Sequence, residues 1–280
     1  MRSQGRAPGR TPPAALLAAA AVLAAGPAPE AQLPGGSITR DTGQSVAPVY
    51  EGWYETEDGA IEVSFGYMNR NWQEAFDIPV GTDNRISPGP PDQGQPTHFV
   101  PRRQIGVFTI RLPAGLEEEV TWTLTSRGET FEIPANLDPV YLIEPLRESG
   151  RRFPGNTPPS VRFAADGEAG IGPRGTQATR AAVVGQPLAL DVWVTDDGLG
   201  SVRGGQTLPL TWIKYRGAGP VTIADAEPPV ENDRAGTTAT FHEPGDYTLH
   251  LRASDGSNPP GSPPFQCCWT NGYVHVTVRE

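Results

Sequence analysis

Period-two alternation of apolar and polar residues, repeated from one part of the chain to the next, limits this sequence more than any other feature. In AIEVSFGY (60–67), Ile61, Val63, Phe65 and Tyr67 fall on one side of an extended chain, and Glu62, Ser64 and Gly66 on the other. Successive side chains of a strand point to opposite faces, so the segment predicts a half-buried strand. The pattern returns in GVFTIRL (106–112), VTWTLTS (120–126) and ETFEIP (129–134), the last two joined by a tight Arg127-Gly128 hairpin signal. It returns again in PLALDVWV (187–194), LPLTWIKY (208–215), TTATF (237–241), DYTLHLRAS (246–254) and GYVHVTV (272–278). With 33 Gly and 31 Pro in 280 residues, turns are frequent and long helices are disfavoured. The expected fold class is all-β.

Arg2, Arg6 and Arg10 precede the apolar run AALLAAAAVLAA (14–25), which is followed by GPAPEA. That is the layout of a secretory signal peptide, assigned to residues 1–31. The run is shorter than the ~20 residues a membrane-spanning helix needs, and no second one follows. After cleavage the protein is therefore expected to be secreted or periplasmic with no transmembrane segment, an uncleaved N-terminal anchor being the alternative. The formal charge of −10 makes it a poor nucleic-acid binder. About 250 remaining residues exceed one small sandwich, so two tandem β-sandwich domains are expected. The first covers 32–150, with a long Pro-rich loop (77–104) and a C-terminal linker, and the second covers 155–280. Five prolines after Pro79 exclude a central strand from 77–104, and a structureless loop of that length implies a job for it. Residues 134–160 read as a linker or a strap across the junction.

VTDDG (194–198), LTWIKYRGAGPVTI (210–223) and TATFHEPGDYTLHLRASDG (238–256) resemble the PKD-like and related immunoglobulin-like modules of bacterial surface and exported proteins. The resemblance covers roughly residues 158–280 and implies an immunoglobulin-like sandwich. It further implies that Trp212, on the third strand, sits in the core and that Tyr247 opens the sixth strand at a corner. Residues 246–254 and 272–278 are then strands F and G, joined by a loop over 255–270.

That loop carries both cysteines, Cys267 and Cys268, with Trp269 beside them. In an oxidising compartment two cysteines usually pair. A bond between neighbours closes almost no loop, so stability is a poor reason for it. A ligand or redox role for Cys267, Cys268 and Trp269 stands beside the plainer reading of two small apolar residues, one tucked under the loop and one exposed. His250 and His275 occupy outward positions on F and G and could join the thiols around a soft metal ion. The plainer reading is two solvated histidines, because no C-x-x-C or H-x-x-x-H spacing supports a site. An F–G register placing Ala253 opposite Gly272 makes these two histidines direct neighbours. His98 and His242 are isolated and read as structural. Asp196 and Asp197, after strand B, and Asp255, after strand F, emerge at one pole of such a fold. Converging carboxylates with backbone carbonyls can hold calcium, the one cofactor implied, or each aspartate simply shapes a turn before Gly198 or Gly256.

No G-x-S-x-G elbow, H-E-x-x-H pair or phosphate-cradling glycine loop is present, which lowers an enzyme reading and does not remove it. Glu117, Glu118 and Glu119 read as a solvated charge run. Arg102 and Arg103 beside His98 suit an anionic ligand or are ordinary surface arginines. The expected function is that of a non-catalytic exported binding or surface-assembly protein whose 255–270 loop contacts an extracellular or periplasmic protein or glycan. A metal-handling or thiol-redox accessory protein using Cys267 and Cys268 is the alternative, followed by a hydrolase with its site in the 77–104 loop.

Overall fold

The structure, a computed structural model, describes residues 40–113, 119–148, 153–200, 208–255 and 267–280, which fall in one compact unit, Thr39–Glu280. The expected leader, Glu117, Glu118 and residues 256–266 of the cysteine loop lie outside the described residues. Among those described there is no α-helix, and no helix is long and apolar enough to cross a membrane.

Alternation produces strands where it was expected. The first half contains β1 (Val46–Glu55), β2 (Ile61–Asn69), β3 (Phe76–Asp77), β4 (Asn84–Ser87), β5 (His98–Phe99), β6 (Arg102–Arg111), β7 (Thr121–Ser126) and β8 (Glu129–Pro134). They form sheets ordered β1-β2-β6 and β4-β7-β8 and a β3-β5 ribbon. The β7–β8 hairpin turns through Arg127 and Gly128, both at positive φ (53° and 77°), the geometry of a two-residue turn that matches strand twist. Phe65, Phe99, Phe108 and Trp122 pack between the sheets, with Phe108 edge-on to Trp122 at 5.1 Å.

The second half contains β9 (Ser160–Arg162), β10 (Thr176–Val183), β11 (Pro187–Thr195), β12 (Leu210–Arg216), β13 (Val221–Ile223), β14 (Arg234–Phe241), β15 (Gly245–Ser254) and β16 (Trp269–Arg279). Its sheets are ordered β13-β14-β11-β9 and β10-β16-β15-β12. β10 runs parallel to β16 over eight pairs, from Thr176↔Gly272 to Val183↔Arg279, whereas the other ladders are antiparallel. Trp212 lies in the core at 1% exposure, and the Tyr247 hydroxyl donates to the Glu243 carbonyl (2.9 Å) at the corner before β15. This order, with its core tryptophan and tyrosine corner, makes the second half immunoglobulin-like.

Three local expectations change. The 77–104 stretch is ordered rather than irregular, and it contributes β4 and β5. Its prolines lack N–H groups but keep carbonyls, and buried amides use them: Asn84 Nδ2 donates to Pro96 O (2.8 Å) and Gln95 Nε2 to Pro91 O (2.7 Å). β2 is buried on both faces, because Glu62, at 0% exposure, is enclosed by Tyr54, Thr109 and Arg174. Strand G begins at Trp269, and its register with β15 sets Leu251 opposite Gly272, two residues from the expected pairing. His250 and His275 share the outer face, as parity requires, but lie diagonally: His250 faces Tyr273 and His275 faces Thr248.

Among the described residues no ladder crosses between the halves, yet they share a polar seam. On β6, residues 105–107 bulge opposite Gly66, with Gly106 at φ 53°. On β12, Tyr215 bulges between Lys214 and Arg216 and enters the first-half core. The first bulge turns its carbonyls toward β15 and β16. Arg252 Nη1 donates to Ile105 O (2.8 Å), Trp269 Nε1 and Asn271 Nδ2 donate to Gly106 O (3.2 and 2.7 Å), and Tyr273 Oη donates to Val107 O (2.7 Å). The second bulge engages the Pro-rich segment, where Tyr215 O accepts from Thr97 N (3.1 Å) and Tyr215 Oη donates to Gly94 O (2.5 Å). Arg216 holds both Asp92 oxygens (3.0 and 2.8 Å), and Lys214 reaches Asp77 (3.0 Å).

A Cβ on Gly106 would lie 2.3 Å from Trp269 Cζ2, whereas one on Gly128 would meet nothing within 4 Å. Gly106→Ala is therefore expected to lower stability by about 3 kcal/mol, from a strained φ and overpacking together, and Gly128→Ala by about 1 kcal/mol. Urea melts of the two variants check this; equal losses would remove the seam from the account.

Candidate functional site

Strand parity sends the side chains of residues 269, 271, 273 and 275 of β16 to the outer face of its sheet. The first three meet the β6 bulge. Beyond them the seam opens into a cleft of about 600 Å³ whose walls come from both halves. Phe108 and Thr109 of β6, Tyr215 and Arg216 of β12, Thr248 of β15, and Tyr273 and His275 of β16 line it. Thr176 and Gln177 of β10, with Glu168 and Arg174 before them, form the remaining wall. The two tyrosine rings stand edge to face at 5.5 Å. Arg174 crosses the seam to Glu62 Oε1 (2.6 Å) while its side chain stays 62% exposed. His275 is exposed and within hydrogen-bond reach of Thr248 Oγ1 (3.1 Å) and Gln177 Oε1 (3.4 Å). Partial desolvation of its ring by the cleft walls, then the Arg216 charge, depresses its pKa.

At the other end of the same strands lies a pole of acidic and sulfur-bearing groups. Cys267 and Cys268 are bonded to each other as a disulfide, the peptide between them is cis, and both are buried (5% and 0% exposed). Their sulfurs carry no proton, so the approaches to Asn156 O (3.8 and 3.6 Å) and of Cys267 to Pro145 O (3.8 Å) are packing contacts rather than hydrogen bonds. Trp269 is likewise buried, under Gly106, with Arg252 over its ring at 5.5 Å. Thus the described part of the expected ligand loop is interior: these three residues brace the strap and the seam.

The three aspartates separate into two environments. Asp197 accepts from Thr157 N and Oγ1 (both 2.8 Å) and from Leu199 N (2.8 Å). Burial works against its charge, but these bonds outweigh it and hold its pKa below the ordinary carboxylate value. For Asp196, burial, together with the charges of Asp197 and Asp255, outweighs the bond from Gly198 N and raises the pKa. Asp255 is fully buried and accepts from Asn156 Nδ2 at 2.6 Å. Among the described residues no group of three or more His, Cys, Asp or Glu is placed to hold a metal ion.

The remaining candidates disperse. His98 Nδ1 pairs with Asp77 (2.9 Å), Arg103 with Glu51 (2.7 Å), and Arg102 stacks over Trp72 at 4.1 Å, so the three form no shared anion site. His242 meets Thr222 (2.8 Å), and Glu119 is exposed. Asn156, Arg174, Tyr215 and Tyr273 belong to these sites without any sequence motif to mark them. An aromatic at an outward strand position, as Tyr273 is, was the available signal; Asn156, in a turn-rich segment, carried none.

No protein-family model matches this chain, and no curated protein matches it. Among solved structures, the D00-D0 domain of intimin is similar over 84% of this chain and 100% of its own, at 11% identity and a TM-score of 0.29. The Yersinia pseudotuberculosis adhesin InvE is similar over 83% and 58%, at 12% identity and 0.25. Domains 4 and 5 of the S-layer protein SbsC are similar over 58% and 66%, at 12% identity and 0.25.

His250 makes the seam sensitive to pH. It is buried against Tyr215 and Tyr273, bonds Asn271 Oδ1 (3.0 Å), and its pKa is depressed to about 4 by burial, with the Asn271 bond opposing and the Arg252 charge assisting. The folded pKa lies below the unfolded ~6.5, so the unfolded chain takes up the proton first. The contribution, on the order of 3 kcal/mol, is complete above pH ~6.5 and is lost as pH falls toward 4. Melting temperatures between pH 7.5 and 4.5 should fall, and His250→Gln should flatten part of the slope; His98 and His275, also depressed, supply the rest.

Proposed function

We propose that this is a non-catalytic exported protein of the bacterial surface type, built from two tandem β-sandwich domains that meet near residue 150, and that it binds an acidic glycan in the cleft along their seam. The cleft carries the proposal. Its walls combine aromatic rings (Phe108, Tyr215, Tyr273), against which a sugar ring can lie, with hydroxyl and amide groups (Thr109, Thr176, Gln177, Thr248) for its hydroxyls. The exposed Arg174 suits a carboxylate on the ligand. Export and a secreted or periplasmic location are supported by the leader-like start and by the paired cysteines, which suit an oxidising compartment.

Other readings have weaker support. A metal or thiol-redox role for Cys267 and Cys268 needs accessible thiolates, and the pair is oxidised and buried. A hydrolase in residues 77–104 needs uncommitted acids and bases, and Asp77, Asp92 and His98 are engaged in the seam or with one another.

An array of acidic and neutral oligosaccharides probed with the full chain should return uronic- or sialic-acid-bearing glycans, left intact after incubation. Replacing the exposed Gln177 and His275 together by alanine should weaken that binding about tenfold, some 1.4 kcal/mol. Binding unchanged by these two substitutions, or none at all, would remove the cleft from the proposal; release of reducing sugar would overturn its non-catalytic part.

A further inference from the structure

Among the described residues five arginines stand over an aromatic ring: Arg102 over Trp72, Arg127 over Phe76, Arg216 over Tyr215, Arg234 over Trp193 and Arg252 over Trp269. In four of them the guanidinium is also engaged with an oxygen of the chain. Arg127 holds Glu74, Arg216 holds Asp92, Arg234 holds Asp191 (2.9 Å) and Arg252 holds Ile105 O (2.8 Å). Arg102 is the exception: its guanidinium lies 4.1 Å from the Trp72 ring centroid and has neither a hydrogen bond nor an ion pair among the described residues. Its backbone differs too. The other non-glycine residues at positive φ, Arg127, Asn232 and Asp233, sit in turns, whereas Arg102 opens strand β6 at φ 71°, where glycine is relaxed and an L side chain is strained. Strain retained for a side chain that bonds nothing inside the protein points to a contact outside it.

The ring beneath it is held as firmly. Trp72 is 47% exposed, on the loop between β2 and β3, and that loop is fastened from below. Trp72 N donates to Arg40 O (2.9 Å), the fully buried Asn71 exchanges bonds with the Gln44 backbone (2.7 and 2.8 Å), and Asn69 Nδ2 donates to Glu74 O (2.7 Å). Asn69 also lies opposite Arg102 in the β2–β6 ladder, so one buried residue positions both members of the pair.

We propose that Trp72 and Arg102 form a second binding site, for a sugar that carries a carboxylate on its ring. Stacking on an indole occupies the face of a guanidinium and leaves its in-plane N–H fork for a carboxylate. The part of the indole that stays open offers an apolar surface to the sugar ring. One guanidinium beside a broad apolar ring matches a single planar charge on a rigid body better than a phosphate, which calls for more donors, or an aspartate or glutamate, whose flexible stem has no face to lay on the indole. Neither residue lines the seam cleft, so this site and the cleft stand or fall separately.

The test is a titration of the full chain with trigalacturonate, followed by nuclear magnetic resonance at the Trp72 indole N–H, a signal assigned by its loss in Trp72→Phe. That signal should shift on titration, and the uncharged methyl ester of the same sugar should need at least about tenfold more to shift it equally. Arg102→Gly should abolish the shift while melting within about 3 °C of the wild type, because glycine suits φ 71°. Replacing Gln177 and His275 by alanine should leave the shift unchanged, which separates this site from the cleft. An unmoved Trp72 signal at about 10 mM trigalacturonate overturns the proposal, as does an equal response to the methyl ester or a shift that survives Arg102→Gly. A glutamate-rich peptide that moves the signal at lower concentration than the sugar overturns it as well and gives the site to a protein partner.

Discussion

An edge strand with unpaired carbonyls is the constraint on which this architecture turns. β6 ends the β1-β2-β6 sheet, and its bulge at residues 105–107 presents backbone oxygens that no fourth strand receives. Left dry and unbonded they would be costly, and left open they would invite another chain. The second half supplies side chains instead of a strand: Arg252, Trp269, Asn271 and Tyr273 each donate to one of the three carbonyls. Side-chain donors satisfy the edge without extending the sheet. The halves thus stay separate in strand pairing while sharing buried surface.

The same contact dictates the chemistry of the second sheet's outer face. A face that met water would carry charges at alternate positions; this one carries Trp, Asn, Tyr, His and a half-buried arginine. Burial lowers the Arg252 pKa to about 10, and the nearby Glu51 opposes that shift. Around this dry centre stand ion pairs of differing exposure, Arg174–Glu62, Lys214–Asp77 and Arg216–Asp92. Partly screened by solvent, they fix the register of the two halves more than they add stability. Where the donors stop, the halves diverge and the cleft begins.

Period two made the strands, the β7–β8 hairpin and the inward residues of β11, β12, β15 and β16 legible, because each depends on neighbours a few positions away. Trp212 and Tyr247 were legible through likeness to a known module. Long-range covering was not. Parity placed His250 on an outer face, but nothing local shows that the other half of the chain covers that face and takes His250 to 3% exposure. The prolines of 77–104 ruled out a central strand without disclosing that their carbonyls, clamped by Asn84 and Gln95, would order the segment. The sequence set Asp196, Asp197 and Asp255 at one pole without showing that Thr157 and Leu199 hold Asp197 or that Asn156 bonds Asp255.

The parallel pairing of β10 with β16 has a mechanical consequence. The chain enters β10 at Thr176 and leaves β16 at Arg279, so tension along it draws the two strands in opposite directions along their common axis. Eight residue pairs then resist in shear, loaded together, whereas an antiparallel hairpin pulled from its open end parts one pair at a time. Under traction the second half should fail late and abruptly.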